Sequence, residues 1–125
     1  EGGAWRRDMR GERRIGVSQV KSLSDGQLIY GDASALDGRA VRAAGQAWRS
    51  RGFGDFWGHM LVASGSAEAM LEDGVNPWDM AAPCVIVTAA GGRMTDLEGR
   101  PSWTDPRLLT SNGLVHDEVL SALGR

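Results

Sequence analysis

Apolar and polar positions along this chain switch between a period near 3.6 and a period of 2, and glycine, proline or a Ser/Asp/Asn cluster marks most of the switches. The longest helical signal runs from Asn76 to Gly92. Asn76 is a good N-cap, Pro77 falls at the first helical position, and Gly91-Gly92 is a stop. That spacing puts Asp79 at the third helical position, near the positive end of the helix dipole, with the apolar run 80–87 buried behind it. Pro83 inside this helix should bend it or disturb its hydrogen bonding. A second helix is predicted over Ala40 to Arg51, where Val41, Ala44, Ala47 and Trp48 share one face and Gly52 is the stop. A third covers Asp55 to Gly65, with Phe56, Met60 and Ala63 as its stripe and Leu61 beside it. A fourth runs from about His116 to Leu123, after an Asn112-Gly113 turn.

Short strands are predicted at 27–31, at 92–97 before the Glu98-Gly99 turn, and at Leu108 to Ser111. Residues 100–107, with Pro101 and Pro106, read as a surface loop. Residues 1–20 read as a β-hairpin, with strands at Ala4 to Arg6 and Arg14 to Ser18 and the charged stretch Arg7 to Arg13 as the connection. Residues 67–72 alternate like a strand, although Ala and Glu are poor strand formers and propensity alone favours a helix extension. Strands alternating with helices give an α/β layer with a largely parallel or mixed sheet. Ligands in such sheets gather at the carboxyl ends of strands. The turn at 72–79 and the turn before residue 55 should both open at that edge.

Bulk composition narrows this picture only slightly. A chain of 125 residues with 42% hydrophobic and 24% charged residues is an ordinary single globular domain. A net charge of −2 argues against a general nucleic-acid binder. The five arginines at 6, 7, 10, 13 and 14 read as a solvated hairpin loop balanced by Asp8 and Glu12. The single cysteine, Cys84, cannot make an internal disulfide and is expected to be a buried, inert thiol, which fits a reducing cytoplasm. No run approaches the roughly 20 apolar residues of a membrane span, so no membrane partner is expected. The 18 glycines fall mostly between periodic segments and read as turns and helix ends.

Trp78-Asp79-x-Ala81-Ala82, an apolar run and Ala90-Gly91-Gly92 resemble the C-terminal signature of the inositol-monophosphatase family of Mg²⁺-dependent phosphomonoesterases. The resemblance covers nearly all 125 residues, and it favours a strand at Ala67 to Glu72. Gly52-Phe53-Gly54-Asp55-Phe56-Trp57 and Asn112-Gly113-Leu114-Val115-His116-Asp117-Glu118 look most like the bacterial histidinol-phosphate phosphatase branch. It implies the C-terminal lobe of an inositol-monophosphatase-like fold: a layered mixed sheet flanked by helices over 21–125, with a hairpin at 1–20 that belongs to the sheet of an N-terminal lobe. The family's Gly-Glu-Glu and Asp-Pro-x-Asp-Gly-Thr segments do not occur here, so the chain is expected to be part of a longer enzyme and inactive alone. Two departures stand out: Ala89 where the family commonly has Glu, and Pro83 inside the motif helix.

Phosphomonoester hydrolysis needs cations on the phosphoryl oxygens, an aligned water and stabilisation of the leaving alkoxide. By resemblance, Asp79 would ligate Mg²⁺, although an Asp here also complements the helix dipole without any metal. Glu72 would accept hydrogen bonds from the substrate's organic moiety. Asp55, after Gly52-Phe53-Gly54, offers a negative charge suited to an amine, as in histidinol, and Gly52 and Phe53 would shape that pocket. His59 and His116 have no triad or metal spacing and are expected to be structural. The resemblance implies a small phosphate monoester as substrate and a homodimer for the intact enzyme. The competing readings are an inositol or broader sugar phosphatase and a non-catalytic α/β binding or assembly module.

Overall fold

The first two strands stand apart from the rest. In the computed structural model, which describes residues 2–124, β1 (Ala4–Asp8) and β2 (Gly11–Ile15) form an antiparallel hairpin of their own. The expected long connection from Arg7 to Arg13 is replaced by a two-residue turn at Met9 and Arg10, because Asp8 can close it. Its Oδ1 accepts from the Arg10 N–H at 2.8 Å, and its Oδ2 lies 3.4 Å from Arg6 and 3.1 Å from Arg13. The arginines therefore decorate paired strands as well as a loop.

A five-stranded mixed sheet makes up the body. β3 (Gln27–Tyr30) lies between β4 (Arg49–Gly52) and β5 (Ala69–Asp73), both parallel to it. β7 (Arg107–Ser111) runs antiparallel to β5, and β6 (Arg93–Asp96) runs antiparallel to β7, for an order β4-β3-β5-β7-β6. Helices α1 (Gly38–Gln46) and α4 (His116–Ala122) cover one face, and α2 (Phe56–Ala63) and α3 (Pro77–Ala89) cover the other. β5 shows why both faces can be filled, since its side chains alternate. Ala69 and Leu71 join Leu28, Leu109, Ala43 and Leu120 on the α1/α4 side, while Met70 joins Ile29 and Val62 under α2.

Several sequence expectations are corrected. The helix expected to continue to Arg51 stops at Gln46, and residues 49–52 become the edge strand β4. The helix starts early because Asp37 caps it, accepting from the Arg39 and Ala40 N–H groups at 3.0 and 2.9 Å. The edge strand was unreadable because its residues, Arg49-Ser50-Arg51-Gly52, bury almost nothing and so show no alternation. Gly52 accordingly ends a strand rather than a helix. The buried face of α1 is centred on Ala43, whereas Val41 and Trp48 are 56% and 63% exposed. In α2 the buried positions are Gly58, His59, Val62 and Ala63, and Phe56 is exposed. In α3 only Met80, Pro83 and Val87 are buried, Val85 is exposed, and Cys84 is half-buried and free. Pro83 withdraws one N–H, yet the helix runs unbroken to Ala89. It closes at the expected glycine pair through Gly91 N–H to Thr88 O at 3.0 Å and Gly92 N–H to Val87 O at 2.8 Å.

Buried Asn112 ties the linker after the hairpin to the body. Its amide nitrogen donates to Ser18 O and Val20 O at 3.3 and 2.8 Å, and its Oδ1 accepts from Leu114 and Val115 N–H. No helix among the described residues is long and apolar enough to cross a membrane.

Candidate functional site

Three parallel strands point their carboxyl ends at one edge of the sheet. β3 ends at Tyr30-Gly31, β4 at Gly52, and β5 at Glu72-Asp73. The chain then enters α2 at Asp55 and α3 at Asn76, so the positive ends of two helix dipoles start at this rim. The expected opening of the turns at 52–55 and 72–79 on one edge is thus the arrangement observed.

Glu72 sits at the centre of it. Its side chain is buried, and it lies beside Gly31 so closely that a Cβ there would stand 2.9 and 3.0 Å from the two carboxyl oxygens. Gly31 therefore makes the room that Glu72 occupies. Burial, then the charges of Asp55 and Asp79, push the Glu72 pKa up to about 7. Both aspartates are exposed, and they stand at the starts of the two helices that leave this edge. Asp79 does not turn inward. Its Oδ2 accepts from the Asn76 N–H at 3.2 Å, so one oxygen takes part in capping α3. Asp55 occupies the N-cap position of α2 but makes no capping hydrogen bond with its side chain.

Phe53 and Gly52 also belong to this rim. The Phe53 N–H donates to Tyr30 O at 3.0 Å, extending the β3–β4 pairing, and the Phe53 side chain is 49% exposed. Gly52 packs over Tyr30, where a Cβ would come 2.9 Å from the ring. A hollow beside Glu72 has a floor of Leu36, Leu71, Leu97 and Leu123, with Asp37, Arg39 and Arg107 among its charged lining residues. All five residues singled out in the sequence therefore lie at the same strand-end rim. Gly31 was not singled out. The signal that could have found it was its place directly after a strand, at the carboxyl edge where ligands collect.

The two histidines are buried. His116 sits between Ser111 Oγ at 2.7 Å and Thr95 Oγ1 at 2.8 Å, tying α4 to β6 and β7 as a structural residue. His59 is bonded to Thr110 Oγ1 at 3.0 Å through Nδ1, and its Nε2 faces Glu72 Oε1 at 3.9 Å. Burial holds its pKa down at about 4.

A divalent cation can be tested against this donor set. Asp79 offers a hard oxygen on an exposed rim, the type of ligand Mg²⁺ takes. Among the described residues, however, no three His, Cys, Asp or Glu side chains converge as a metal cluster. Asp79 could supply one oxygen to such an ion, and the described residues do not complete a site around it.

Comparisons with known proteins agree with the geometry. The chain is 41% identical over 125 residues to a histidinol-phosphatase of Streptomyces coelicolor, covering 95% of this chain and 47% of that protein. It is 36% identical over 115 residues to a histidinol-phosphatase of Mycobacterium tuberculosis, covering 88% of this chain and 44% of the relative. It thus spans less than half the length of these relatives. An inositol monophosphatase structure from Thermotoga maritima superposes with a TM-score of 0.80 at 31% identity, over 90% of this chain and 45% of the other. Mycobacterium tuberculosis SuhB does so with a TM-score of 0.82 at 26% identity, over 98% and 50%. The inositol monophosphatase family model matches residues 8–124, and with the strand-end rim, the capped Asp79 helix and these relatives, the chain belongs to the inositol monophosphatase family.

Proposed function

We propose that this chain is the C-terminal part of a Mg²⁺-dependent phosphomonoesterase acting on histidinol phosphate. One observation supports the reading: β5 ends in buried Glu72 at the carboxyl edge of three parallel strands, and the chain enters α2 at Asp55 and α3 beside Asp79 from that same edge. Asp79 would hold Mg²⁺, which when bound neutralises phosphoryl oxygens and polarises water. Asp55 supplies a negative charge for the amine of the organic moiety. Glu72 accepts hydrogen bonds from that moiety or, when protonated, donates one. Gly52 and Phe53 would shape the side of the pocket next to Asp55.

The remaining metal ligands, and the group that activates water, would come from the portion of the longer relatives that this chain does not match. An apolar groove of about 660 Å³ between the hairpin and α2/α3, lined by Trp5, Ile15, Trp57, Leu61 and Val85, supports docking of such a lobe. The 125-residue chain by itself is therefore expected to hydrolyse phosphate esters very poorly.

The test is turnover by the intact protein. Histidinol phosphate should be hydrolysed in preference to inositol phosphate, with activity lost on chelation and restored by Mg²⁺. Asp55→Ala should reduce turnover of histidinol phosphate about tenfold or more while sparing the inositol ester. Equal losses on both substrates would remove the reason to prefer the amine, and no Mg²⁺-dependent turnover of any phosphate ester would overturn the phosphatase reading.

A further inference from the structure

Beneath the rim, two buried polar atoms face each other without a hydrogen bond. His59 Nε2 and Glu72 Oε1 are both shielded from solvent, and neither has a hydrogen-bond partner among the described residues. They lie 3.9 Å apart. α2 brings them together, because at Gly58 it approaches β5 so closely that a Cβ would strike the Met70 side chain. Thr110 on β7 then fixes the imidazole by its other nitrogen, at 3.0 Å. A buried polar group left unpaired is destabilising, so two that face each other are poised to pair. At 3.9 Å the contact is longer than a hydrogen bond, and rotating the Glu72 side chain to move Oε1 by about 1 Å closes it.

We propose that His59 is a positioning residue for Glu72: anchored by Thr110, its imidazole engages Oε1 from behind and leaves the second carboxyl oxygen for the pocket. The use of that second oxygen on the organic part of a phosphate ester rests on the phosphatase reading above, whereas the pairing itself does not.

Proton bookkeeping makes the pairing specific. One proton fits between Nε2 and Oε1. With Glu72 protonated, its O–H donates to Nε2, and Nδ1–H donates to Thr110 Oγ1. With Glu72 ionised, Oε1 can only accept, so the ring proton moves to Nε2 and the Thr110 hydroxyl donates to Nδ1. Asp55 at the start of α2 and Asp79 in the first turn of α3 act on Glu72, while Arg39 from α1 and Arg107 from β7 border the same hollow. Burial and the two aspartates hold Glu72 up at about 7, and burial holds His59 down at about 4. Through neutral pH, then, the imidazole stays uncharged and what changes is its tautomer.

Nitrogen NMR of the His59 ring in the intact protein tests this directly. From about pH 5 to 9 the ring should pass from the Nδ1–H to the Nε2–H tautomer, with the midpoint of the Glu72 carboxyl carbon titration. Glu72→Gln should abolish that pH dependence. A single tautomer across the range, or a switch that survives Glu72→Gln, overturns the pairing. The same spectra support the pairing whether or not any ester is hydrolysed, so its failure is separable from that of the phosphatase reading. For the positioning role, His59→Phe should raise KM for the organic ester about tenfold with kcat within about twofold, and His59→Gln should restore most of it. If His59→Phe does not fold, Thr110→Val, which frees the ring, should shift KM in the same direction. A loss shared equally by kcat and KM, or no rescue by Gln, overturns the positioning role.

Discussion

On the α1/α4 side of the sheet, Leu23, Leu28, Ala69, Leu71, Leu109, Leu120 and their neighbours form one continuous buried cluster. On the α2/α3 side the buried apolar residues fall into three smaller clusters, around Ala63 and Val87, around Ile29 and Met70, and around Met80 and Leu108. Trp5, Trp57 and Val85 on the second side are 56%, 46% and 69% exposed. α2 and α3 are apolar around much of their circumference, a pattern of helices buried on both sides. Exposed apolar residues grouped in this way are typical of contact surfaces. The lesson is a division of labour. The sealed face holds the fold, and the open face carries both the carboxylate rim and a surface suited to a further layer.

The sharpest way to break that contrast is to cut into the sealed face. Leu120→Ala removes a fully buried side chain from the continuous cluster and should cost about 2–5 kcal/mol, read from urea unfolding. A loss below about 1 kcal/mol would mean that this face is not what stabilises the domain.

Glu72→Gln probes the cost of placing a carboxyl under the open face. The folded-state pKa of Glu72 is raised to about 7 from an ordinary 4.5, so between those values the folded state holds more protons than the unfolded one. Its contribution is complete below about pH 4.5 and is lost as pH rises through about 7. Wild-type stability should therefore fall by on the order of a few kcal/mol across that window, and Glu72→Gln should flatten the slope. Parallel pH profiles for the two proteins would refute the raised pKa of the buried carboxyl.

The smallest expected effect sharpens the comparison most cheaply. Val85→Ser on the open face should change the stability of the 125-residue chain by less than about 0.5 kcal/mol. In the intact protein it should cost about 1–2 kcal/mol if that face is covered. Equal effects in both proteins would argue that nothing docks there.

How far the sequence could be read depended on what each residue buries. The Asn76-Pro77 start, the Gly91-Gly92 stop and the 27–31 strand were legible because capping chemistry and a short apolar run are local signals. Edge strand β4 was not, because Arg49-Ser50-Arg51-Gly52 is held by backbone pairing to β3 and shows no apolar alternation. The strand at 69–73 stands where propensity pointed to a helix, since its place between β3 and β7 overrides the local preference of Ala and Glu. In the site, Asp79 and Glu72 could be named from their motif, but the role of Gly31 could not. Its meaning is the space it leaves for a carboxyl group 41 residues downstream.

By itself, then, the sequence determined that there are four helices, the start and stop of the one over Pro77–Ala89, the α/β alternation, the hairpin and the motif that carries Asp79, all of which follow from interactions between residues close in the chain. Only the tertiary structure decided which face of each helix is buried, that β4 closes an edge, and that His59 comes to rest against Glu72. Those outcomes depend on the order and spacing of strands brought together from distant segments, and no local period encodes them.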